Sequence, residues 1–282
     1  MIIVKIIGGL GNQMFQYAYA KALEKKGCKV KIDISAFDTY KLHGGYQLDK
    51  YNIDLQVSSY EENRKFHKNY FLTKLLIVNS KILKEKSFAF DVNLLDMEDH
   101  NYVSGYFQSE NYFIHIRNLL LEQFVIKEDI SSYGKKVQKS IVNLKNSCSV
   151  HVRRGDYLEG KNASIHGLLN LDYYKKSIEY IKSKDKNISL FIFSDDIDWV
   201  KENFKLDNAT YIESKDRILP HEDMYLMSLC KNNIIANSSF SWWGAWLNRF
   251  KDKIVISPKR WFSDEKLEKQ SKDIIPIEWI RL

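Results

Sequence analysis

Residues 2–34 read IIVKIIGGLGNQMFQYAYAKALEKKGCKVKIDI. Residues 2–7 are a mostly β-branched run of the kind that forms a buried strand, and Gly8, Gly9 and Gly11 break it. Over residues 12–26, Phe15, Ala18, Tyr19, Ala22 and Leu23 recur at helical spacing. Gly27 stands where a helix favours a left-handed C′ residue, and residues 30–34 read as a second strand. Strand, glycine turn, helix and strand make a β-α-β unit, so the fold class is already α/β.

The same alternation returns after Ser147. A strand runs to Val152, followed by a helix over 173–181, a strand over 188–193, a helix over 197–204 and a short strand near Tyr211. A helix over 222–229, a strand over 234–236, a helix over 240–250 and a strand over 254–256 complete the series. Such a succession predicts a mostly parallel sheet wrapped by helices. Between the two series the pattern is less regular: amphipathic stretches rich in Lys and Asn fill residues 51–86, and residues 102–107 suggest a strand and turn. The expected organisation is therefore two Rossmann-like domains facing a central cleft, 1–135 and 136–282, with the boundary between about 127 and 146. A length of 282 residues suits this, since single cores stop growing near roughly 250 residues.

An apolar fraction of 44% with 13% aromatic residues is that of a folded globular chain. A net charge of +7 suits an acidic ligand, nucleic acid or an anionic membrane surface. The lysines are dispersed, and neither zinc-finger spacing nor a basic stripe occurs, which argues against nucleic acid. Cys28, Cys148 and Cys230 lie far apart in or beside apolar stretches and read as small core residues. The apolar run at the amino terminus is too short for a secretory signal or a membrane span, so a cytoplasmic location is expected. Without a secretory route, the Asn-x-Ser/Thr triplets at Asn162, Asn187, Asn208 and Asn237 are chance matches.

Chemistry concentrates in loops that follow strands. HVRRGDY, residues 151–157, places Arg153 and Arg154 at a strand's carboxyl end, where open α/β sheets bind ligands. Guanidinium forks match the oxygens of a diphosphate better than lysines do. Asp156 is placed to brace one fork; the plain alternative is a solvated surface ion pair. The embedded Arg-Gly-Asp tripeptide is too short to carry an adhesion reading. GGLGNQ, residues 8–13, lacks the third glycine of a dinucleotide fingerprint, while Asn12 and Gln13 at the helix start suit a sugar or phosphate. Ser194, Asp195 and Asp196 end a second strand, so that a base or ribose would be read there. Asp196 and Asp198 also fit an Asp-x-Asp metal pattern, although a helix cap is the simpler role. In NSSFSWW, residues 237–243, the serines Ser238 and Ser239 are the better functional candidates, because Phe240, Trp243, Leu247 and Phe250 have the spacing of core residues.

GGLGNQMFQYA at 8–18, HVRRGDY at 151–157 and NSSFSWWGAWL at 237–247 together resemble family 11 glycosyltransferases, the bacterial α-1,2-fucosyltransferases. The likeness runs in order from Gly8 to about Trp261 and includes SGYFQSENYF at 104–113. It implies a GT-B architecture with the first domain on the acceptor side and GDP-fucose held mainly by the second. By that resemblance Arg153 and Arg154 hold the diphosphate and are the catalytic pair. His151 and an aspartate of the 194–196 turn, Asp195 or Asp196, contact the nucleoside, and Ser238 or Ser239 binds phosphate. Asn12 and Gln13 line the interdomain cleft. The implied reaction is an inverting displacement that sends L-fucose to the 2-hydroxyl of a galactose-terminated glycan, with a lipid-linked surface polysaccharide precursor at the inner membrane's periphery as one such acceptor. Arginine replaces a divalent metal in stabilising the departing diphosphate, so neither metal nor cofactor is expected beyond GDP-fucose as donor substrate. The general base is not identified. Asp33 and His43 are weak candidates, each better explained as a cap or a surface residue, and Gln47 stands where such enzymes often carry glutamate. Three rivals stay open: another linkage or acceptor, a non-catalytic nucleotide-sugar-binding protein, and a metal-dependent transferase.

Overall fold

The opening β-α-β unit forms because its first strand is buried on both faces, its second packs Val30 and Ile32 beside it, and its helix is closed by glycine at each end. In a computed structural model that describes residues 1–40, 42–73, 81–158, 160–213 and 219–282, strand β1 (Ile2–Lys5), helix α1 (Leu10–Lys25) and strand β2 (Val30–Asp33) follow one another. β1 and β2 pair in parallel, with Ile2 beside Val30 and Val4 beside Ile32. Ile2, Ile3 and Val4 are fully buried, and each such side chain stabilises the fold by about 1.5–3 kcal/mol. Gly8, at φ +81, turns the chain into α1, which starts at Leu10 rather than at residue 12. At the far end Gly27 N–H donates to Glu24 O and Cys28 N–H to Leu23 O, a Schellman closure with Gly27 at φ +98.

The rest of this unit adds helix α2 (Tyr60–Thr73), strand β3 (Lys81–Lys84), strand β4 (Asn101–Ser104) and helix α3 (Arg117–Gln123). The sheet order is β2-β1-β4-β3, parallel throughout. β3 is a strand that the sequence reading passes over. α1 departs from the amphipathic pattern expected of it: from Leu10 to Leu23 only Asn12 escapes full burial. Its buried polar residues are satisfied internally. Lys21 pairs with Asp54 at 2.7 Å, and Gln16 accepts from Ile7 N–H at 2.8 Å and donates to Gly105 O at 3.0 Å, tying the ends of β1 and β4.

The second unit begins with helix α4 (Ser132–Val142) and strand β5 (Ser147–Val152), then helices α5 (Gly160–Ile165) and α6 (Leu171–Lys184) and strand β6 (Ser189–Ser194). Helix α7 (Ile197–Asn203), strand β7 (Ala209–Tyr211), helix α8 (Pro220–Leu229) and strand β8 (Asn232–Ile234) follow. Helix α9 (Ser239–Trp246), strand β9 (Val255–Ser257), helix α10 (Glu265–Gln270) and strand β10 (Ile280–Arg281) close the unit. The order β10-β9-β8-β5-β6-β7, all parallel, is the doubly wound Rossmann arrangement, in which β5 and β8 flank the point where winding reverses. Every residue of β5 is buried. Two parallel α/β units of this kind are the GT-B class of fold expected above.

Contacts divide the chain into Met1–Glu128 with Lys272–Ile274, and Asp129–Ser271 with Ile275–Leu282. Residues 129–135, expected in the first domain, thus pack with the second, because Ser131 caps α4 and both its N–H and hydroxyl donate to Glu222 of α8. Residues 272–274 return to the first unit, where Asp273 accepts from Phe90 N–H at 2.9 Å. β8 lies two residues earlier than expected, since Asn233 satisfies its buried amide on Ser149 Oγ, Met227 O and Asn248 Nδ2. α9 stops at Trp246, which leaves Phe250 exposed rather than in the core.

A methyl group on Gly105, directly after β4, would lie 2.5 Å from Glu85 Cβ and 2.8 Å from Phe107 Cζ. Gly105→Ala is therefore expected to destabilise the chain by about 1–3 kcal/mol through overpacking, seen as a lowered urea midpoint in far-ultraviolet circular dichroism.

Candidate functional site

The carboxyl ends of β5, β6 and β8 carry the candidate residues of the second unit. Parallel register sets His151 beside Phe193 and Val152 beside Ser194, so the next residues, Arg153 and Arg154, meet Asp195 and Asp196. Arg153 Nη1 lies 3.0 Å from Asp195 Oδ2, and Arg154 Nε donates to Asp196 Oδ2 at 3.1 Å. Asp195 Oδ1 also accepts from Arg154 N–H at 2.9 Å, so one carboxylate binds a side chain and the backbone of the arginine loop. The Arg154 guanidinium sits 3.4 Å from the centroid of Trp199, a stacked cation–π contact, and Arg153 lies 5.5 Å from Tyr157. Among the described residues the terminal nitrogens of Arg154 make no hydrogen bond, so its outer fork is available to an anion. A Cβ on Gly155 would stand 2.5 Å from Asp195 Oδ2, which explains the glycine at this close approach.

This arrangement revises the expected roles of the carboxylates. The Asp156 side chain lies outside the described residues, and the braces seen on the arginines are Asp195 and Asp196. Both oxygens of Asp195 are engaged by the arginine loop, while Asp196 holds Arg154 with one oxygen and caps α7 through Trp199 N–H with the other. Asp196 acts as the helix cap that the sequence favoured over half of a metal pair. Among the described residues no group of His, Cys, Asp and Glu is arranged to hold a metal ion.

His151 is 4% exposed, near the end of β5. Burial pushes its imidazole down to about 4, the Arg153 cation acts in the same direction, and Asp195 opposes both. The ring is thus neutral at pH 7, with Nδ1 unpartnered among the described residues and Phe240 at 5.6 Å. After β8, Ser238 is buried and caps α9 by accepting from Phe240 N–H at 3.3 Å, while Ser239 is half-buried at the first helical position. Ser241 Oγ accepts from Ala236 N–H at 3.2 Å, so this hydroxyl shapes the turn. Tyr157 joins the loops: its hydroxyl donates to Asn237 O at 3.1 Å and its ring stacks on His166 at 4.6 Å. Trp199 and Tyr157 are site residues that sequence reading missed. Tyr157 lay within the quoted motif, whereas Trp199 carried no signal beyond its place one turn after Asp196.

The remaining candidates belong to the first unit, at the carboxyl edge of its own sheet. Gln13 was expected to face a ligand, but it is fully buried and spent on the backbone: it donates to Gly8 O and Gly45 O and accepts from Gln47 N–H at 2.9 Å. It ties the 43–47 loop to the glycine turn. Asn12, half-buried, accepts from Gln108 Nε2 at 2.7 Å. Asp33 is buried with its oxygens on Tyr102 Oη and Ser35 N–H, which fits a brace better than a base. His43 is exposed at φ +55, and Gln47 donates to its carbonyl. No helix among the described residues is long and apolar enough to cross a membrane.

The sequence model described as Glycosyl transferase family 11 matches residues 1–282. The chain is 37% identical to the alpha-1,2-colitosyltransferase of Escherichia coli, across 100% of this chain and 99% of that one. It is 34% identical to the O-antigen biosynthesis glycosyltransferase WbnK of Escherichia coli, across 98% of each. Among solved structures, Arabidopsis thaliana FUT1, as a mutant in complex with GDP, shares the fold at a TM-score of 0.51 and 11% identity, covering 98% of this chain and 74% of that one.

The buried histidine has a consequence for acid stability. Above the ordinary value of 6.5 the imidazole is neutral in both states, and between 6.5 and about 4 only the unfolded chain takes up the proton. Stability therefore falls as pH drops through this window, with the loss from His151 complete below about 4. Thermal unfolding followed across that range is expected to fall less steeply for His151→Gln than for the wild type.

Proposed function

The chain belongs to glycosyl transferase family 11, and from that premise we propose that it transfers L-fucose from GDP-fucose to the 2-hydroxyl of a galactose-terminated glycan, with inversion at the anomeric carbon. The observation that carries the reading is the pair Arg153 and Arg154, held by carboxylates beside the β5–β8 switch point. A diphosphate placed there lies against cations whose direction is already set. The relative's name as an alpha-1,2-transferase and the GDP bound by the Arabidopsis protein support the linkage and the nucleotide.

In the proposed reaction the acceptor oxygen forms a bond to the anomeric carbon as the bond to the β-phosphate oxygen breaks. Negative charge grows on departing GDP, and the acceptor hydroxyl gives up its proton to a base. The chain's contribution at the leaving group is electrostatic: guanidinium groups fixed by Asp195, Asp196 and Trp199 face the developing charge without first reorganising. Neutral His151 adds no third cation beside them. Transfer is accordingly proposed to proceed without a divalent metal. The acceptor proposed is a lipid-linked O-antigen precursor, met by the basic chain at a membrane surface, in line with the O-antigen role named for WbnK.

A second donor is favoured by a specific observation, the 37% identity to a colitosyltransferase. Colitose is fucose without its 3-hydroxyl, so a site that leaves that hydroxyl unpartnered would accept both sugars.

GDP release measured with lactose as acceptor and EDTA present tests the proposal. Acceptor-dependent release is expected from GDP-fucose, with kcat lowered by about 10²–10³ in Arg154→Ala. Release from GDP-colitose but not GDP-fucose would transfer the assignment to the second donor, and release restored only by manganese would overturn metal independence.

A further inference from the structure

The amino-terminal edge of the second sheet gathers charge that the sequence scatters. Parallel register brings the starts of its strands into one row, with Ser147 beside Ser189, Cys148 beside Asn232 and Asn233 beside Val255. The segments that enter this row, residues 142–146, 182–188, 205–208, 231 and 249–254, hold nine lysines and arginines against three aspartates. Their surplus of six positive charges compares with +7 for the whole chain. At the corresponding edge of the first unit charges are paired instead, Lys26 with Asp96 and the terminal amine with Asp99.

Two of the three aspartates are used within the edge itself. Asp185 accepts from Asn146 Nδ2, and Lys231 Nζ reaches Asn146 Oδ1 at 3.3 Å and Asp252 Oδ2 at 3.2 Å. These bonds tie together the segments that precede β5, β6, β8 and β9. Lys253 is spent on Ala245 O and Asn248 O at the end of α9, and a helix end favours the lysines in the last turn of α6. No such reason covers Lys145, Lys186 and Lys251, which are exposed and make no hydrogen bond or ion pair among the described residues. Apolar side chains stand among them. Phe250, between Arg249 and Lys251, is 46% exposed, its N–H donating to Asn248 Oδ1 at 2.8 Å as the chain leaves α9. Val142 and Leu144, on the segment that Lys231 joins to 249–254, are exposed as well.

Cations alone would suit any polyanion. Exposed aliphatic and aromatic groups interspersed with them narrow the partner, because Val142 and Leu144 offer a nucleic acid nothing to stack on or hydrogen-bond, whereas a bilayer presents acidic headgroups over acyl chains. We propose that the amino-terminal edge of the second sheet docks the protein on an anionic lipid bilayer, with Phe250 entering the headgroup layer. The proposal rests on the reading that the acceptor is met at a membrane surface, and it names the surface that does so. The arginine loop leaves the opposite end of β5, a strand of six residues, about 20 Å away. A protein docked by this edge therefore holds its anion site clear of the bilayer, toward the outer end of a lipid-linked glycan rather than the sugar next to the lipid.

Co-sedimentation of the full chain with vesicles of phosphatidylcholine, with and without phosphatidylglycerol, tests the surface without needing turnover. The wild type is expected to sediment with the anionic vesicles only. Binding is expected to weaken roughly tenfold or more in Lys145→Ala/Lys251→Ala and several-fold in Phe250→Ser. It is expected to persist in Lys266→Ala/Lys269→Ala, which removes the same charge from α10, beside the loop that leaves β9. All five side chains are exposed, and thermal melts confirm that each variant is folded. A wild type that ignores anionic vesicles overturns the proposal, as does equal loss in the two lysine pairs, which would make net charge alone responsible. Binding unchanged in Phe250→Ser also overturns it, and so does tighter binding to a short DNA duplex at the same salt, lost in Lys145→Ala/Lys251→Ala. GDP release with lactose and no vesicles is expected to be the same in all these variants. Vesicle binding with this pattern in a protein that fails to use GDP-fucose would remove the donor assignment and leave the docking surface standing.

Discussion

Strand β5 is hydrogen-bonded in register to β6 on one side and to β8 on the other, and the arrangement of the second unit follows from that pairing. Because the strands are parallel, their carboxyl ends emerge at one edge, and because β5 and β6 end together, arginines and aspartates leave the sheet face to face. A slip of one residue would turn every side chain to the opposite face and separate these charges. The fully buried apolar content of β5 prevents such a slip, since Cys148, Val150 and Val152 fill the core shared with α6. Core packing on the strand and charge placement after it are therefore one constraint.

The two sheet edges treat buried polarity differently. In α1, Gln13, Gln16 and Lys21 each find complete internal partners and fasten the helix to neighbouring loops. Gln47 and Gln108, on the loops so fastened, keep an oxygen unpaired. The satisfied residues supply rigidity.

The sequence made the α/β class readable because its strands are apolar runs closed by glycine or by charged loops, and the helices between them keep their period. β3, with lysine at both ends, lacks that signature, and β10 is too short to show one. β8 was placed late because asparagine favours turns, whereas Asn233 is sheltered by partners remote in the chain. The place of the arginine loop at the carboxyl end of a buried strand was legible from residue type and spacing. That Asp195 and Asp196 brace it was not, because they are near only through strand register. Gln13 was misread for the same reason: a polar residue at a helix start looks available until the loop that consumes it, at residues 43–47, is in view.

The net charge of +7 explains little of the arginine site. Arg153 pairs with Asp195 and Arg154 with Asp196, and these four described groups sum to zero. Ion pairs this exposed, with side chains between 16% and 32% accessible, contribute only about 0–1 kcal/mol to stability. Their effect is on direction: a carboxylate on the inner side of a guanidinium and an indole against its face orient the outer nitrogens. In the proposed reaction the diphosphate of the donor meets a local dipole of fixed direction rather than a diffuse positive field. Selection by such a dipole depends on how the oxygens of the ligand are spaced, which favours a diphosphate over a lone anion of equal charge.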